Sequence, residues 1–133
     1  MLVGSTGCGK TTLLRSLKPE LAPVGSASGS LKLFGKQLVQ IDHPAMSPSA
    51  SAQLIGYVMQ DPDAQIVCDT VWHELAFGLE NLGTNPSEIR RRIAEVAHYF
   101  GIEPWMRSKT EDLSGGQKQL VNLAAVLALR PSC

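Results

Sequence analysis

MLVGSTGCGKTTLLRSLKPE, residues 1–20, decides how the rest of the chain is read. Gly4, Gly9, Lys10 and Thr11 fit the phosphate-loop pattern G-x-x-x-x-G-K-S/T. Backbone N–H groups can wrap an anion only where side chains leave room, as Gly4, Gly7 and Gly9 do, and a helix beginning at Lys10 adds its positive N-terminal end. The pattern aims Lys10 at the β- and γ-phosphates of a nucleotide and gives Thr11 a hydroxyl for Mg²⁺. The bland alternative is a glycine turn ahead of a helix. It is set aside because a short apolar strand (MLV), the loop and a helix from Lys10 to Lys18 follow in the required order. In that helix Leu13, Leu14 and Leu17 share one side, and Pro19 ends it.

The chain has 133 residues, enough for one domain that buries roughly two-thirds of its unfolded surface. Apolar residues make up 44% and charged residues 18%, a globular rather than a disordered balance. Twelve basic against twelve acidic residues leave no net charge, so the basic footprint of a nucleic-acid binder is absent. The run LVNLAAVLALRPSC is interrupted by Asn122 and is too short to span a bilayer. No charged start followed by an apolar core and cleavage site marks a signal peptide. Cys8, Cys68 and Cys133 lack metal-ligand spacing and read as reduced thiols.

Beyond the loop, APVGSASGSLKLFGKQLVQ alternates Leu31 and Leu33 about Lys32 before Gly35 and predicts a β-hairpin. HPAMSPSAS reads as a polar connector, and AQLIGYVMQD as a buried strand with Gln60 just past its apolar run. Asp69 or Thr70 can cap a helix through VWHELAFGLENLG, closed by Gly83. A second helix follows: Asn85 caps it, Pro86 suits its first position, and Glu88 can complete a capping box. Ile89, Ile93, Val96, Ala97 and Phe100 form its apolar stripe. Ser114 introduces a last helix from Gln117 to about Leu129, stopped by Pro131.

The stretch LSGGQKQL, residues 113–120, places a hydroxyl and two glycines ahead of that helix, a second anion-binding end. Alone it is a glycine-bearing cap. Together with the phosphate loop it makes the chain resemble the ATP-binding subunits of ABC transporters, whose signature this stretch matches. The resemblance implies an α/β fold: a partial P-loop NTPase core with an antiparallel β-hairpin and an α-helical subdomain. Residues 1–60 would form the core and hairpin, 61–112 the helical subdomain, and 113–133 the signature and its helix.

What the resemblance implies about the site follows residue by residue. Gly4, Ser5, Thr6, Gly7, Cys8, Gly9, Lys10, Thr11 and Thr12 would bind ATP. Lys10 and Gln60 would serve catalysis, and Thr11 and Gln60 would meet Mg²⁺. Ser114, Gly115, Gly116 and Gln117 would contact ATP held by a second ATPase subunit paired head to tail. The short interval between Gln60 and Ser114 disfavours the coiled-coil ATPases of chromosome structure and repair, and with them nucleic acid as a partner. Pro62, Asp63, Gln65, Thr70-Val71 and AFGLENLG are similar to ATPases of energy-coupling factor transporters, which import vitamins or metal ions. Asp61 to Leu82 would then include the surface that docks a membrane subunit, at the cytoplasmic face of the membrane.

The family's base-stacking aromatic should precede Met1, and a strand ending in Asp-Glu, the pair that orders Mg²⁺ and supplies the general base, should follow Cys133. The chain is therefore expected to be the middle of such a domain and inactive as an ATPase by itself. A non-catalytic nucleotide-binding module and a soluble ABC-type factor are the competing functions.

Other residues take plainer readings. Arg90, Arg91 and Arg92 lie opposite an apolar stripe and read as a solvated face. His43, His73 and His98 have no second ligand at metal spacing. Trp72 and Trp105 read as packing residues, Cys8 as a small residue in the loop, and Asp61, Asp63 and Asp69 as turn and cap residues.

Overall fold

The computed structural model describes residues 2–25, 30–33, 36–40 and 48–132. They fall into two units, Met1–Ser51 and Ala52–Cys133.

In the first unit the loop leads into helix α1, Lys10–Ser16, with Leu17 as its C-cap and a 3-10 turn at Pro19–Leu21. The predicted helix ends two residues early, since Pro19 has no N–H to continue it. Leu2 and Val3 carry no strand: among the described residues they have no ladder partner, and they are 48% and 75% exposed. Leu13 and Leu14 of α1 are likewise exposed. The hairpin forms as β1, Ser30–Leu33, antiparallel to β2, Lys36–Gln40. Its register runs Ser30 to Gln40 and Leu31 to Val39, then Lys32 to Gln37, so Leu38 is an extra residue on β2. An unpaired residue of this kind is a β-bulge, which bends and twists the strand that carries it. The expected Gly35 turn lies outside the described residues, as do residues 43–47 of the connector.

Two expectations are corrected between residues 48 and 59. The connector's end and the supposed strand's start form helix α2, Pro48–Leu54. Pro48 suits a first helical position, where a missing N–H costs nothing. Residues 55–59 are irregular rather than a strand. Two of their polar groups find a side chain instead of a ladder: Met59 N–H donates to Gln65 Oε1 at 2.7 Å, and Gln65 Nε2 donates to Tyr57 O at 3.4 Å. One carboxamide thus stands in for a neighbouring strand, which meets the need of a partly buried backbone for partners.

The second unit is built on three helices. Helix α3, Val71–Asn81, is capped by Thr70, whose side chain accepts from His73 N–H; Gly83 closes the turn with φ 68°. Helix α4, Pro86–Phe100, is capped by Asn85 and ends at left-handed Gly101. The predicted capping box at Glu88 is not made. Its carboxylate turns to Arg91 at 2.6 Å and Arg92 at 2.7 Å, stronger charged donors than a backbone N–H. Helix α5, Gly115–Ala128, starts two residues before the predicted boundary because Ser114 and Gln117 form a reciprocal capping box.

Val71, Leu75 and Leu79 of α3, Ile89, Ile93 and Ala97 of α4, and Val121, Ala124 and Ala128 of α5 make the core, with Ile102 and Leu113 at its ends. Steps of three or four residues on each helix put these residues on one stripe, and each large aliphatic so buried contributes about 1.5–3 kcal/mol. Trp72 and Trp105 pack against this core. Two glycines let neighbours close in: a Cβ at Gly78 would lie 3.0 Å from Leu129 Cδ2, and one at Gly56 would lie 2.5 Å from Val126 Cγ1.

Candidate functional site

The phosphate-loop residues lie in the first unit. Gly7 and Gly9 hold left-handed φ values of 83° and 89°, which a Cβ would strain. Gly9 ends the loop as the N-cap of α1, its carbonyl accepting from Leu13 N–H at 2.9 Å. A tight turn closes the loop's middle, where Cys8 N–H donates to Ser5 O at 3.3 Å. Gly4 leaves room for a side chain: a Cβ there would sit 2.6 Å from Cys8 Sγ, which would have to turn away.

Lys10 folds back over this turn. Its ammonium donates to Gly4 O and Ser5 O, both at 2.6 Å, and lies 3.4 Å from Cys8 Sγ. Ser5, Thr6, Thr11 and Thr12 are exposed around it. Residues 4–12 thus offer one ammonium, four hydroxyls and glycine N–H groups, and no carboxylate. That donor set fits a polyphosphate and would repel a free cation.

Gln60 and the LSGGQ residues lie in the second unit. Ser114 Oγ accepts from Gln117 N–H at 3.4 Å, and Ser114 N–H donates to Gln117 Oε1 at 2.8 Å. The carboxamide of Gln117 is thereby engaged in the cap. Gly115 and Gly116 are exposed, with nothing within 4 Å of where a Cβ would be. The start of a 14-residue helix is therefore open to approach at its positive end.

The structure brings Gln60 to this helix through residues that the sequence did not single out. Gln119 Nε2 donates to Gln60 O at 3.1 Å, Asn122 Nδ2 donates to Pro62 O at 3.0 Å, and Lys118 Nζ meets Asp63 Oδ1 at 2.6 Å. The Gln60 side chain is exposed. One signal was available: Asn122 is the polar interruption in an otherwise apolar helical run.

Glu74 is a second unanticipated residue. It is 6% exposed in the first turn of α3, and its Oε2 accepts from Val67 N–H at 3.0 Å and Cys68 N–H at 2.8 Å. Thr110 Oγ1 donates to Cys68 O at 2.7 Å, so residues 67–68 are held from two sides. Burial, with the Glu74 carboxylate next, pushes the Cys68 thiol above its ordinary pKa. Beside this segment lies a groove of about 350 Å³, with Ile66 and Val67 on its wall and Asp63, Asp69, Glu111 and Lys118 at its polar edge. Asp69 is held below the usual carboxylate range, chiefly by its hydrogen bond with His73.

Several other titratable groups have local partners. Asp61 Oδ1 accepts from Asp63 N–H at 3.1 Å, a turn contact. His98 pairs with Glu103 at 2.8 Å. Arg91 joins Glu88 and Glu95 on the solvated face of α4. Half-buried Arg92 also donates to Ala128 O at 3.3 Å, satisfying a carbonyl at the end of α5.

Comparison with known proteins gives concordant results. The sequence profile described as ABC transporter matches residues 1–133. A Bacillus cereus protein assigned by its name to the ABC transporter ATP-binding proteins is 48% identical over 130 residues, 98% of this chain and 23% of its own. The cobalt import ATP-binding protein CbiO of Syntrophus aciditrophicus is 39% identical, matching 98% of this chain and 44% of its own. The solved structure of CbiO1 from Clostridium perfringens, part of the transporter complex cbiONQ, superposes with a TM-score of 0.76 at 31% identity. That match covers 97% of this chain and 49% of CbiO1. The chain thus spans less than half the length of each of these three relatives. The fold is the α/β P-loop NTPase fold of ABC ATPases, represented here by part of the domain.

Proposed function

This chain belongs to the ABC transporter ATP-binding family, and from that premise we propose that it is the nucleotide-binding part of an importer ATPase of the energy-coupling factor type. The observation that carries the proposal is the Gly4–Thr11 loop, folded around its own lysine, with left-handed Gly7 and Gly9 and no carboxylate. The ammonium of Lys10 rests on two loop carbonyls, from which it can turn to phosphate oxygens. ATP supplies the polyphosphate and its phosphoanhydride bond, with Mg²⁺ as the counter-charge.

In this reading Gly4 to Thr12 hold the phosphates, with Lys10 neutralising charge and the Thr11 hydroxyl meeting Mg²⁺. Gln60 would contact Mg²⁺ and the attacking water. Ser114, Gly115, Gly116 and Gln117 serve the nucleotide held by a second ATPase subunit or domain, which the open start of α5 supports. Asp61 to Leu82, with its groove, docks a membrane subunit at the cytoplasmic face; among the described residues no helix is long and apolar enough to cross the membrane itself. The name of the cobalt-import relative supports a metal ion as cargo, with a vitamin the other cargo of this transporter type. These 133 residues contain no Asp-Glu pair, so we assign binding to this chain and turnover to a protein that supplies the pair.

Equilibrium titration of the chain with a fluorescent ATP analogue and Mg²⁺ tests this. Lys10→Ala removes a charged donor worth about 1.5–3 kcal/mol and should weaken binding by roughly tenfold or more. Equal affinity in the wild type and Lys10→Ala, or no binding by the wild type, would refute the reading.

A further inference from the structure

We propose that Lys118, Gln119 and Asn122 are positioning residues that fasten the Gln60–Asp63 turn to α5, so that this turn and the Ser114–Gln117 turn are ordered together. The proposal rests on the reading of Gln60 and Ser114 as nucleotide-facing groups. The three side chains lie at i, i+1 and i+4, and each ends on a different residue of the turn: Asp63, Gln60 and Pro62 in order.

Asn122 shows most clearly that placement is its role. It is fully buried in an apolar helix, and its Oδ1 has no partner among the described residues. A leucine would fill the same space without leaving a buried oxygen bare, so the carboxamide is a poor choice for packing alone. What it does is hold Pro62 O, which also accepts from Gln65 N–H and Ile66 N–H at 3.2 Å. That carbonyl is the hub of the turn after Gln60. Lys118 is only 16% exposed although its partner Asp63 is 68% exposed, so the helix side of the pair is the anchored one.

At the other end, α5 begins with Gly115 and Gly116, the weakest helix formers short of proline. The Ser114–Gln117 box holds this first turn from the outside. Lys118 and Gln119, one step on, hold it through their contacts with the Gln60 turn. A change at either turn is therefore felt at the other.

Amide hydrogen exchange on the full 133-residue chain without nucleotide tests this. In Asn122→Leu the thermal midpoint should stay level or rise. Exchange at Gln65 and Ile66 should speed up about three- to tenfold, the scale of one lost hydrogen bond, and Gln117 and Lys118 should speed up with them. Acceleration confined to Gln65 and Ile66, or none, would overturn the coupling. The reciprocal variant Asp63→Ala changes an exposed residue and keeps the test open should Asn122→Leu fail to fold. It should accelerate Gln117 and Lys118, and wild-type rates there would also overturn the proposal. Normal ATP binding with uncoupled exchange would refute the positioning role alone, whereas absent ATP binding with coupled exchange would refute only the nucleotide reading.

Discussion

Gly56→Ala is a one-methyl change whose cost can be worked from the packing. The new Cβ would lie 2.5 Å from Val126 Cγ1 and 3.0 Å from Pro131 Cγ, where carbon atoms prefer about 3.5–4.0 Å. Gly56 has no left-handed φ, so the penalty is steric rather than conformational. Forcing a methyl into such a contact costs about 1–3 kcal/mol. Val126→Ala alone removes two methyl groups from a half-buried site, about 1 kcal/mol after discounting for exposure. In the double variant the added methyl occupies the space the valine gave up, while the proline ring still crowds it. The pair should therefore cost about 1–2 kcal/mol, less than the sum of the singles.

The assay is urea unfolding followed by the fluorescence of Trp72 and Trp105, both of which pack on the core of this unit. With a slope of about 1–2 kcal/mol per molar urea, Gly56→Ala should lower the midpoint by roughly 1 M. Costs that add to within about 0.5 kcal/mol would refute the reasoning, since they would mean that the two side chains do not meet.

Two further perturbations probe the helix ends. Ser114→Ala deletes the hydroxyl that accepts Gln117 N–H and should lower stability by about 1 kcal/mol in the same unfolding assay, with Ser114→Thr retaining most of it; equal midpoints for all three would show that the cap carries no weight. Glu88 is held down to about 2, chiefly by its hydrogen bonds with Arg91 and Arg92, against an ordinary value of 4.5. A depressed carboxylate contributes stability above its unfolded pKa and loses it as pH falls through the folded one. The midpoint gap between wild type and Glu88→Gln should thus be constant above about pH 5 and close between there and pH 2, most visibly at low salt. A gap independent of pH would contradict this pairing.

The sequence made the three-helix unit legible because its signals are local. Thr70, Asn85 and Ser114 cap where their side chains can reach the next turn, Pro86 starts α4, and the apolar stripes at three- and four-residue steps meet in one core. What escaped depends on partners distant in sequence or on competition. An apolar run at 52–61 reads as a strand, but among the described residues no neighbour offers a ladder and Gln65 satisfies the backbone instead. Glu88 suited a capping box until two arginines competed for it. Glu74 looks like a solvent-facing acid on α3, and only the fold of residues 67–68 over it makes it a buried acceptor. In the candidate site the glycines, Lys10 and Ser114 could be named from spacing. Gln119 and Asn122 could not, because the segment they hold lies about sixty residues away.

The most direct test of the nucleotide reading is an ATP and Mg²⁺ titration of the isotopically labelled chain, followed at individual backbone amides. The largest saturable shifts should fall at Gly7, Gly9, Lys10 and Thr11, and be abolished in Lys10→Ala. Shifts that saturate elsewhere while these four amides stay still would contradict that reading.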